Sequence, residues 1–398
     1  MSQIYLIAAF WLLAAVISTI IANRLKISIA LMEIIVGILI GFLAFKLNYT
    51  EKLALNEEWL KFVTGLGAIM LTFLSGTELN PSVMKKKFKE VTIIGLIGFL
   101  APFIGCSLIA YYLIGWDLKA SLLVGIALST TSMAVVYAVM IEYGFNKTEY
   151  GKGILGACFV NDLGTVIGLG LIFSPFTYKT LIFIAVTIVI VLILPDITKY
   201  LIKHFAYKTA AIRTKWILFI LLSMGVLAIW SGSEPVLPAY VIGMVLSRTV
   251  EKDNFFIKRL RTMTVGFLTP LYFLRAGAFV SLPIIITAPL IFIILFVGKL
   301  LSKIFGLYPV IKNYRKHKKE KWYYTLLMST GLTFGTISAL YGLSNNIITQ
   351  QQYSYIVGVV IASAVIPTII ANKYFLPSHL IEKPLLDDQM PDIEKKKK

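Results

Sequence analysis

A carboxylate lies in the middle of an apolar stretch of this sequence. The segment "LGACFVNDLGTVIGLGLIF", Leu155 to Phe173, is hydrophobic enough to cross a lipid bilayer, yet Asn161 and Asp162 stand side by side near its centre. A charge at the centre of a bilayer costs about 2.5–3.5 kcal/mol on insertion scales, so such a residue is by default a candidate for function. A carboxylate in this position can bind a proton or a hard cation such as Na⁺, and the amide oxygen of Asn161 is a second oxygen ligand.

Further oxygen ligands are found in the segment "STTSMAVV". Hydroxyl groups can replace missing backbone hydrogen bonds where a membrane helix is broken, and they can then serve as cation ligands. The same residue types often line close contacts between intact helices, so both interpretations stay open. In "STGLTFGT", Gly331 and Gly335 suit an opposing break or, equally, a small-xxx-small packing face. The hydroxyl residues of the first segment are Ser129, Thr130, Thr131 and Ser132.

Few other ionisable residues lie within or against apolar segments. A carboxylate locked to Arg275 or Lys299 solely to hold helices together is the structural alternative for Asp162. For Arg275, the alternatives are a pairing with Glu78 or with carbonyl groups freed by Pro270. The acids concerned are Glu33, Glu78 and Asp162, and the bases are Arg275 and Lys299.

The composition indicates an integral membrane protein. Of 398 residues, 58% are hydrophobic and 15% are charged, whereas soluble domains have about 45–50% and about 25%. The net charge of +18 does not indicate nucleic-acid binding, because membrane proteins concentrate Lys and Arg on one side of the bilayer. The three His residues lie in loops or in the tail, and no metal-ligand spacing or phosphate-binding loop is recognisable.

Thirteen segments are long and apolar enough to be membrane spans of about 20 residues. The ninth is short, and the tenth contains Pro270 and Arg275, so we expect it to be bent or interrupted. The first is interpreted as a retained span, because basic residues follow it and none precedes it. The predicted spans are 4–22, 28–46, 60–78, 91–113, 120–141, 151–173, 179–195, 215–231, 235–247, 264–281, 284–307, 322–343 and 353–374.

The distribution of basic residues supports this number of spans and orients the chain. With an extracellular N-terminus, 31 of the 38 Lys and Arg residues fall in loops or a tail predicted to be cytoplasmic, and 5 fall in loops predicted to be extracellular. Seven of the 31 are assigned to the loop before the twelfth span. Cytoplasmic loops are enriched in Lys and Arg, so one missing span would destroy this alternation. We predict a plasma-membrane protein with its N-terminus outside and its C-terminus in the cytoplasm.

Two segments indicate an internal repeat. "LSTTSMAVVYAVM" begins at Leu128 and "MSTGLTFGTISAL" begins at Met328, in spans five and twelve, which face opposite ways in this topology. Transporters are often built from repeats of opposite orientation. We therefore predict an all-α fold of two inverted repeats, about 4–173 and 215–374, joined by a linker helix at 179–195.

The two predicted repeats differ at the acidic position. The residues that correspond to Asn161 and Asp162 in the second repeat are near Ser363 and Ala364, so the scaffold does not require the carboxylate. We expect residues 1–375 to form the transmembrane domain in the lipid bilayer. Residues 376–398 are expected to be a short, disordered cytoplasmic tail with a basic end.

Five motifs, in order along the chain, carry a family resemblance. "MEIIVGILIG" is similar to a Glu-containing motif of a second span, and "LTFLSGTELNPSVMKKK" is similar to a Gly-x-Glu-Leu motif before a basic loop. "ALSTTSMAVV" resembles a crossing-helix motif, "FVND" an ion-site motif, and "AYVIGMVLSRT" with "FLTPLYFLRAGAFVSL" the segment before a second crossing helix. Over about residues 1–375 the chain resembles the monovalent cation:proton antiporters, within them the Na⁺/H⁺ antiporters and the potassium-efflux (Kef-type) exchangers.

The resemblance implies about thirteen transmembrane helices with two crossing discontinuous helices, a homodimer, and exchange of Na⁺ for H⁺ without a cofactor. Asp162 matches the carboxylate that binds the cation and the proton alternately, and Asn161 matches its polar neighbour. Thr131 matches the crossing-helix threonine near the ion, with Thr130 and Ser132 beside it.

The resemblance gives less defined roles to the other intramembrane charges. Lys299, in "FVGKLLSK", matches a basic residue that faces the ion site in part of the family. Glu33 and Glu78 match motif acids with a more structural role, and Arg275 has no role that can be transferred. The chain departs from the pattern at residues 157 and 158, where Ala-Cys stands in place of Glu-Ser.

The single carboxylate predicts the exchange ratio. Relatives with an Asp-Asp pair are typically electrogenic, and the Asn-Asp pair often accompanies electroneutral exchange. One buried carboxylate holds one monovalent cation or one proton in each cycle, which favours a 1:1 exchange. A proton released by Lys299 during the cycle would alter this count.

Three alternatives were compared with Na⁺/H⁺ exchange. A potassium-efflux-type K⁺/H⁺ antiporter would share the fold, but such proteins often carry a soluble nucleotide-binding domain, and about 25 residues follow Lys373 here. A Na⁺-coupled organic-solute symporter would take up its substrate without obligatory proton release. An intramembrane aspartyl protease needs two Asp residues near mid-membrane, and only Asp162 qualifies, so we expect no enzymatic activity.

Overall fold

The chain folds into helices and their connections. A computed structural model describes residues 2–25, 29–77, 87–145, 148–173, 177–205, 211–233, 235–251 and 254–380, and every regular element in these ranges is helical. Helices form because a bilayer provides no water for backbone polar groups, and a helix satisfies these groups within one segment. The α-helices are α1 Ser2–Leu25, α2 Ile29–Lys46, α3 Glu58–Thr77, α4 Phe88–Leu108, α5 Leu118–Ser129, α6 Met133–Glu142, α7 Glu149–Phe173, α8 Tyr178–Phe205, α9 Ile212–Ser231, α10 Val236–Glu251, α11 Asn254–Met263, α12 Thr269–Ala278, α13 Leu282–Thr287, α14 Pro289–Tyr314, α15 Lys318–Met328, α16 Thr333–Ser344 and α17 Gln350–Tyr374.

These helices make the chain a multi-pass membrane protein. Within the described ranges, ten helical segments are long and apolar enough to cross a bilayer, and Leu118–Ser129 and Val236–Ser247 are shorter apolar helices. Within the described ranges, each of the thirteen predicted spans falls largely on helix. The fifth predicted span is divided between α5 and α6, and the twelfth is divided between α15 and α16.

Both predicted helix breaks are present, and they lie against each other. The first break, residues 130–132, separates α5 from α6, and the second, residues 329–332, separates α15 from α16. The backbone N–H of Ser132 donates to the carbonyl oxygen of Thr330 at 3.1 Å. The two discontinuous helices therefore cross at their unwound segments, where backbone polar groups are not used by a helix.

Two closely packed helix pairs show the inverted repeat in the fold. α3 packs along α10, and α2 packs along α12, so the third span of each half meets the second span of the other half. Glycines permit this approach, because a Cβ at Gly243 of α10 would overlap the carbonyl oxygen of Phe73, and one at Gly277 of α12 would overlap that of Ile34. The predicted fold class, all-α with inverted repeats and two crossing discontinuous helices, is confirmed.

The helices form two groups. In the core group, α4 packs against α5, α7 and α14, while α17 packs against α14, α15 and α16. The outer group contains α1–α3 and α8–α12. Some of its buried residues form two further hydrophobic clusters, one around α3, α9 and α10 and one around α1, α2 and α12, while others, such as Ile34, Tyr240 and Tyr272, belong to the core cluster. The crossing lies inside the core group.

Several predicted boundaries are wrong. α8 continues past Pro195 to Phe205, because a membrane helix tolerates the missing N–H of one proline. α14 continues to Tyr314, so Lys303 lies inside a membrane helix and not in the loop to which the charge count assigned it. The loop predicted after residue 247 contains α11. The first residues of the predicted tail, up to Leu380, pack against the core and are not disordered, and residues 381–398 lie outside the described ranges.

The tenth span is interrupted ahead of Pro270. A π-helical turn, Thr264–Leu268, precedes α12, which begins with Thr269 and Pro270. Proline has no N–H to donate to the carbonyl group one turn earlier, so one regular α-helical hydrogen bond is missing here, and the helix continues through the π-helical turn. Arg275 lies in the regular helix beyond the interruption.

Candidate functional site

Asp162 and Asn161 lie on α7 at the centre of the core group. Asp162 has 1% of its surface exposed and Asn161 has 0%. α4 packs closely against this part of α7, since a Cβ at Gly98 would lie 3.3 Å from Asn161 Nδ2. One turn before Asp162, the thiol of Cys158 contacts Met328 Sδ at 3.5 Å, and Met328 is the last residue of α15. The pair is thus enclosed between α4 and the crossing.

The amide of Asn161 links α7 to the first helix break. Nδ2 donates to the carbonyl oxygen of Ser129, the last residue of α5, at 3.3 Å. A carbonyl group at a helix end has no partner within the helix, so this bond compensates the break. Oδ1 of Asn161 is buried and has no hydrogen-bond partner among the described residues. One end of the amide therefore positions the break, and the other end is available as a cation ligand.

The hydroxyl residues of the first break are buried and have defined partners. Thr130 Oγ1 donates to the carbonyl oxygen of Ala127 at 3.0 Å. Ser132 Oγ accepts from the N–H of Val135 at 3.3 Å and so caps the start of α6. Of the two interpretations of this run, the structure supports the helix break.

Thr131 joins both breaks to a buried lysine that the sequence analysis did not single out. Its Oγ1 donates to the carbonyl oxygen of Met328 at 2.8 Å and accepts from Lys303 Nζ at 3.1 Å. Lys303 is 0% exposed, and its amine lies near enough to Asp162 for an electrostatic interaction. An acid, a hydroxyl group and an amine are thereby brought together at the crossing.

Lys299 lies one turn before Lys303 and has a different partner. Its Nζ donates to Ser363 Oγ at 2.8 Å, and a Cβ at Gly331 in the second break would overlap it. The second repeat thus has a lysine–serine contact where the first repeat has the acid. The signal that could have revealed Lys303 is its four-residue spacing from Lys299 in "FVGKLLSK", which places both side chains on one helix face.

Arg275 forms its side-chain hydrogen bonds within the outer group. Its Nε donates to the carbonyl oxygen of Leu55 at 2.7 Å, and its Nη1 donates to Thr64 Oγ1 at 3.3 Å. The predicted partner is Glu78 or a carbonyl group freed by Pro270, whereas the observed carbonyl partner belongs to Leu55 in the connection before α3. The alternative in which Arg275 neutralises Asp162 is not supported, because these partners direct the guanidinium to α3.

Of the two motif acids, Glu33 lies in the described part of the chain. Glu33 is 2% exposed on α2, and it directly precedes Ile34, whose carbonyl oxygen lies against Gly277 of α12. Glu33 is therefore placed on the α2–α12 pair. Glu78 lies outside the described residues.

A cavity of about 510 Å³ opens between the two groups of helices. On one side, Thr64, Ala68 and Tyr272 of α3 and α12 line it, and on the other side it is lined by Ile337 and Tyr341 of α16. α16 is the second half of the broken helix α15–α16. The cavity thus runs along the boundary between the core group and the outer group.

Comparisons with known proteins agree with this architecture. The family model described as sodium/hydrogen exchanger, transmembrane, matches residues 12–373. A probable Na(+)/H(+) antiporter 3 of Methanocaldococcus jannaschii is 31% identical over 255 residues, which are 61% of this chain and 63% of that protein, less than two thirds of its length. A Na(+)/H(+) antiporter of Enterococcus hirae is 26% identical over 387 residues, which are 92% of this chain and 96% of that protein.

Solved structures show the same fold. The sodium proton antiporter MjNhaP1 from Methanocaldococcus jannaschii at pH 8 has a TM-score of 0.70 at 16% identity, with 95% of this chain and 99% of that chain covered. At this identity the likeness concerns the fold alone. The family match, in contrast, covers almost all of the helical part of the sequence, and the chain belongs to the transmembrane sodium/hydrogen exchanger family.

Proposed function

We propose that this chain exchanges Na⁺ for H⁺ across the cell membrane by alternating access, with the cation and the proton competing for Asp162. Membership in the exchanger family supports the transport class. The names of two relatives, both Na(+)/H(+) antiporters, support the pair of ions. Li⁺ is a second candidate cation, because oxygen ligands suit it equally.

The observation that carries this proposal is the buried Asp162–Asn161 pair beside two crossed helix breaks. Hard monovalent cations bind oxygen ligands, and the Asp162 carboxylate, Asn161 Oδ1 and backbone carbonyl groups of the breaks are available for this purpose. We include the hydroxyl groups of Thr130, Thr131 and Ser132 in the candidate ligand set. Sodium is cargo in this scheme and not a resident metal.

Competition for one carboxylate couples the two ions. The core group moves against the outer group and presents Asp162 first to one side of the membrane and then to the other. Bound Na⁺ or H⁺ neutralises the carboxylate, whereas the empty site carries a charge whose burial is costly. The core group therefore does not change sides while Asp162 is empty and charged. Cation transport in one direction then requires proton transport in the opposite direction.

The proposed exchange is electroneutral. One carboxylate exchanges one monovalent cation for one proton, which leaves no net charge to move. Lys299 and Lys303 both have hydroxyl partners, and in the proposed cycle each keeps its protonation state. A proton released from either lysine would make the exchange sensitive to the membrane potential.

The proposal has a cellular setting that rests on the resemblance and on the basic-residue pattern. We place the chain as a homodimer in the plasma membrane, with an extracellular N-terminus, a cytoplasmic C-terminus and a role in pH homeostasis. The Asn-Asp motif supports the Kef-type branch. No cofactor and no catalytic reaction are part of the proposed cycle.

Asp162→Ala in reconstituted or everted vesicles tests the proposal. Proton movement is followed after pulses of Na⁺, Li⁺ or K⁺, with and without a clamped membrane potential, and the variant is expected to show no cation-dependent proton movement. Asp196→Ala is the matched control, because Asp196 is an exposed acid of α8 that pairs with Lys199 at 3.5 Å. Exchange retained by Asp162→Ala would contradict the proposal.

A further inference from the structure

Three side chains with metal-ligand chemistry meet at the end of the core group where α15 begins. His317 directly precedes α15, and Glu320 lies in its first turn. His379 belongs to a short 3₁₀ turn, Ser378–Leu380, that follows α17. No metal-ligand spacing is recognisable in the sequence, because His379 is brought to the other two residues only by the fold.

The geometry of this His–Glu–His cluster suits one small ion. One potential ligand atom from each of the three residues lies within 4.8 Å of the other two. His379 Nε2 and Glu320 Oε1 are 2.7 Å apart, and the rings of His317 and His379 have their centroids 4.8 Å apart. Glu320 is buried, whereas both histidines are exposed. The cluster is thus fixed at its carboxylate and open to solvent at its imidazoles.

The segment that carries His379 is held in place by its own packing. The ring of Phe375 stacks on Trp322 of α15 at 5.6 Å, and Leu376 and Leu380 pack against the core. On the other side, Tyr150 donates to the backbone carbonyl oxygen of Glu320 at 2.8 Å. The ligands are therefore brought together by protein contacts, so little ordering is left for the ion to impose.

We propose that His317, Glu320 and His379 bind one divalent transition-metal ion of the Zn²⁺ class. Two imidazoles and one carboxylate are a known ligand set for zinc, with water in the fourth position, and the exposed histidines leave room for that water. Ca²⁺ and Mg²⁺ prefer oxygen ligands alone and are excluded by the two imidazoles. The surrounding segment "KHKKEK", residues 316–321, is strongly basic, so only a metal that forms coordinate bonds is expected to bind there.

The bound metal would tie the chain after α17 to the first half of the second broken helix. α15 ends at Met328, whose carbonyl oxygen accepts from Thr131 at the crossing. A metal at the start of α15 therefore acts on an element that reaches the proposed ion site without belonging to that site. This inference goes beyond Na⁺/H⁺ exchange, and binding can be measured without any transport.

Zn²⁺ binding to the full-length chain tests the site. The protein is purified in detergent without a histidine tag, stripped with a chelator and titrated with Zn²⁺ against a competing chromophoric chelator. One Zn²⁺ per chain is expected, and His317→Ala and His379→Ala should each weaken binding more than about tenfold. His204→Ala is the matched control, because the sequence has three His residues and His204 lies exposed at the end of α8.

A second measurement guards against misfolded variants. Co²⁺ bound to the wild type is expected to give the visible absorption of a four-coordinate ion, and Glu320→Gln should alter that spectrum while the metal-free thermal midpoint stays within the scatter of the wild type. Zn²⁺ should raise the midpoint of the wild type and of His204→Ala only. The proposal is overturned if a His317→Ala/His379→Ala double variant binds Zn²⁺ as tightly as the wild type does.

Discussion

At the scale of single residues, the proposed ion site depends on how each polar atom around Asp162 is already used. Asn161 Nδ2 is bound to Ser129, whereas Oδ1 of the same amide has no partner among the described residues. Thr131 Oγ1 both donates and accepts, so its remaining capacity for an ion is small. The carboxylate, the Asn161 oxygen and backbone carbonyl groups of the breaks are therefore stronger ligand candidates than the hydroxyl groups.

Substitutions at Asn161 separate positioning from ion binding. Asn161→Ala removes the donor to Ser129 and leaves a buried carbonyl group unsatisfied, at a cost of about 1–3 kcal/mol, so we expect lower thermal stability and a higher KM for Na⁺. Asn161→Asp keeps an oxygen ligand and adds a charge, so we expect exchange that becomes sensitive to the membrane potential. Vesicle assays with a clamped potential measure both effects, and wild-type behaviour in both variants would exclude Asn161 from the site.

The two buried lysines are expected to differ in their effect on cation affinity. Lys303→Met removes an amine that, when protonated, opposes a cation at Asp162, and an interaction of about 1 kcal/mol, modest for an effective dielectric constant near 20, corresponds to roughly a fivefold lower KM for Na⁺. Lys299→Met is the matched control, because the Lys299 amine is bound to Ser363 of α17, whereas the Lys303 amine is bound to Thr131 at the first break. The variants are compared by initial rates over a range of Na⁺ concentrations. A larger decrease of the KM for Na⁺ in Lys299→Met would show that Lys299, and not Lys303, is the lysine that acts on Asp162.

At the scale of elements, the sequence predicted the helices and the breaks well and the boundaries less well. Apolar length identified the spans, because it depends on local composition. The hydroxyl run after Ser129 left a helix break and a close helix contact both open, and the family resemblance indicated the break. The continuation of α8 past Pro195 was not predicted, since proline usually marks a helix end near a membrane surface. Lys303 was counted with the following loop, although it lies within the eleventh predicted span. The contact between Glu320 and His379 depends on the return of the chain after α17, which no local pattern indicates.

The α2–α12 contact is expected to be sensitive to a single methyl group. In Gly277→Ala the new Cβ would overlap the backbone carbonyl oxygen of Ile34, so the two helices must separate, at a cost of about 1–3 kcal/mol. Gly65→Ala on α3 is the control, because its Cβ meets nothing within 4 Å and alanine favours the helix by about 1 kcal/mol. Thermal unfolding in detergent should show a lower midpoint for Gly277→Ala alone, and equal midpoints would argue against the close contact.

At the scale of the whole molecule, function requires the core group to move relative to the outer group. Asp162 is enclosed inside the core, whereas the cavity of about 510 Å³ lies at the boundary between the groups. Two hydrophobic clusters lie entirely within the outer group, whereas the large core cluster extends across the boundary through Ile34, Tyr240 and Tyr272. Motion between the groups therefore has to rearrange contacts at this boundary. The boundary is therefore the place where alternating access can be arrested.

A cross-link over this boundary tests the motion directly. Ala68 of α3 and Ile337 of α16 line opposite sides of the cavity. An Ala68→Cys/Ile337→Cys variant is treated with a cleavable bifunctional maleimide, which joins the two groups of helices. The variant is expected to lose Na⁺/H⁺ exchange in vesicles and to regain it when the linker is cut. The native thiols of Cys106 and Cys158 are buried at 0% exposure and should not react. Each single-cysteine variant, treated identically, should keep its exchange, because a linker attached at one end does not join the two groups. Undiminished exchange by the cross-linked double variant would show that Asp162 changes sides without movement between the groups, and a local gate within the core would then replace the proposed motion.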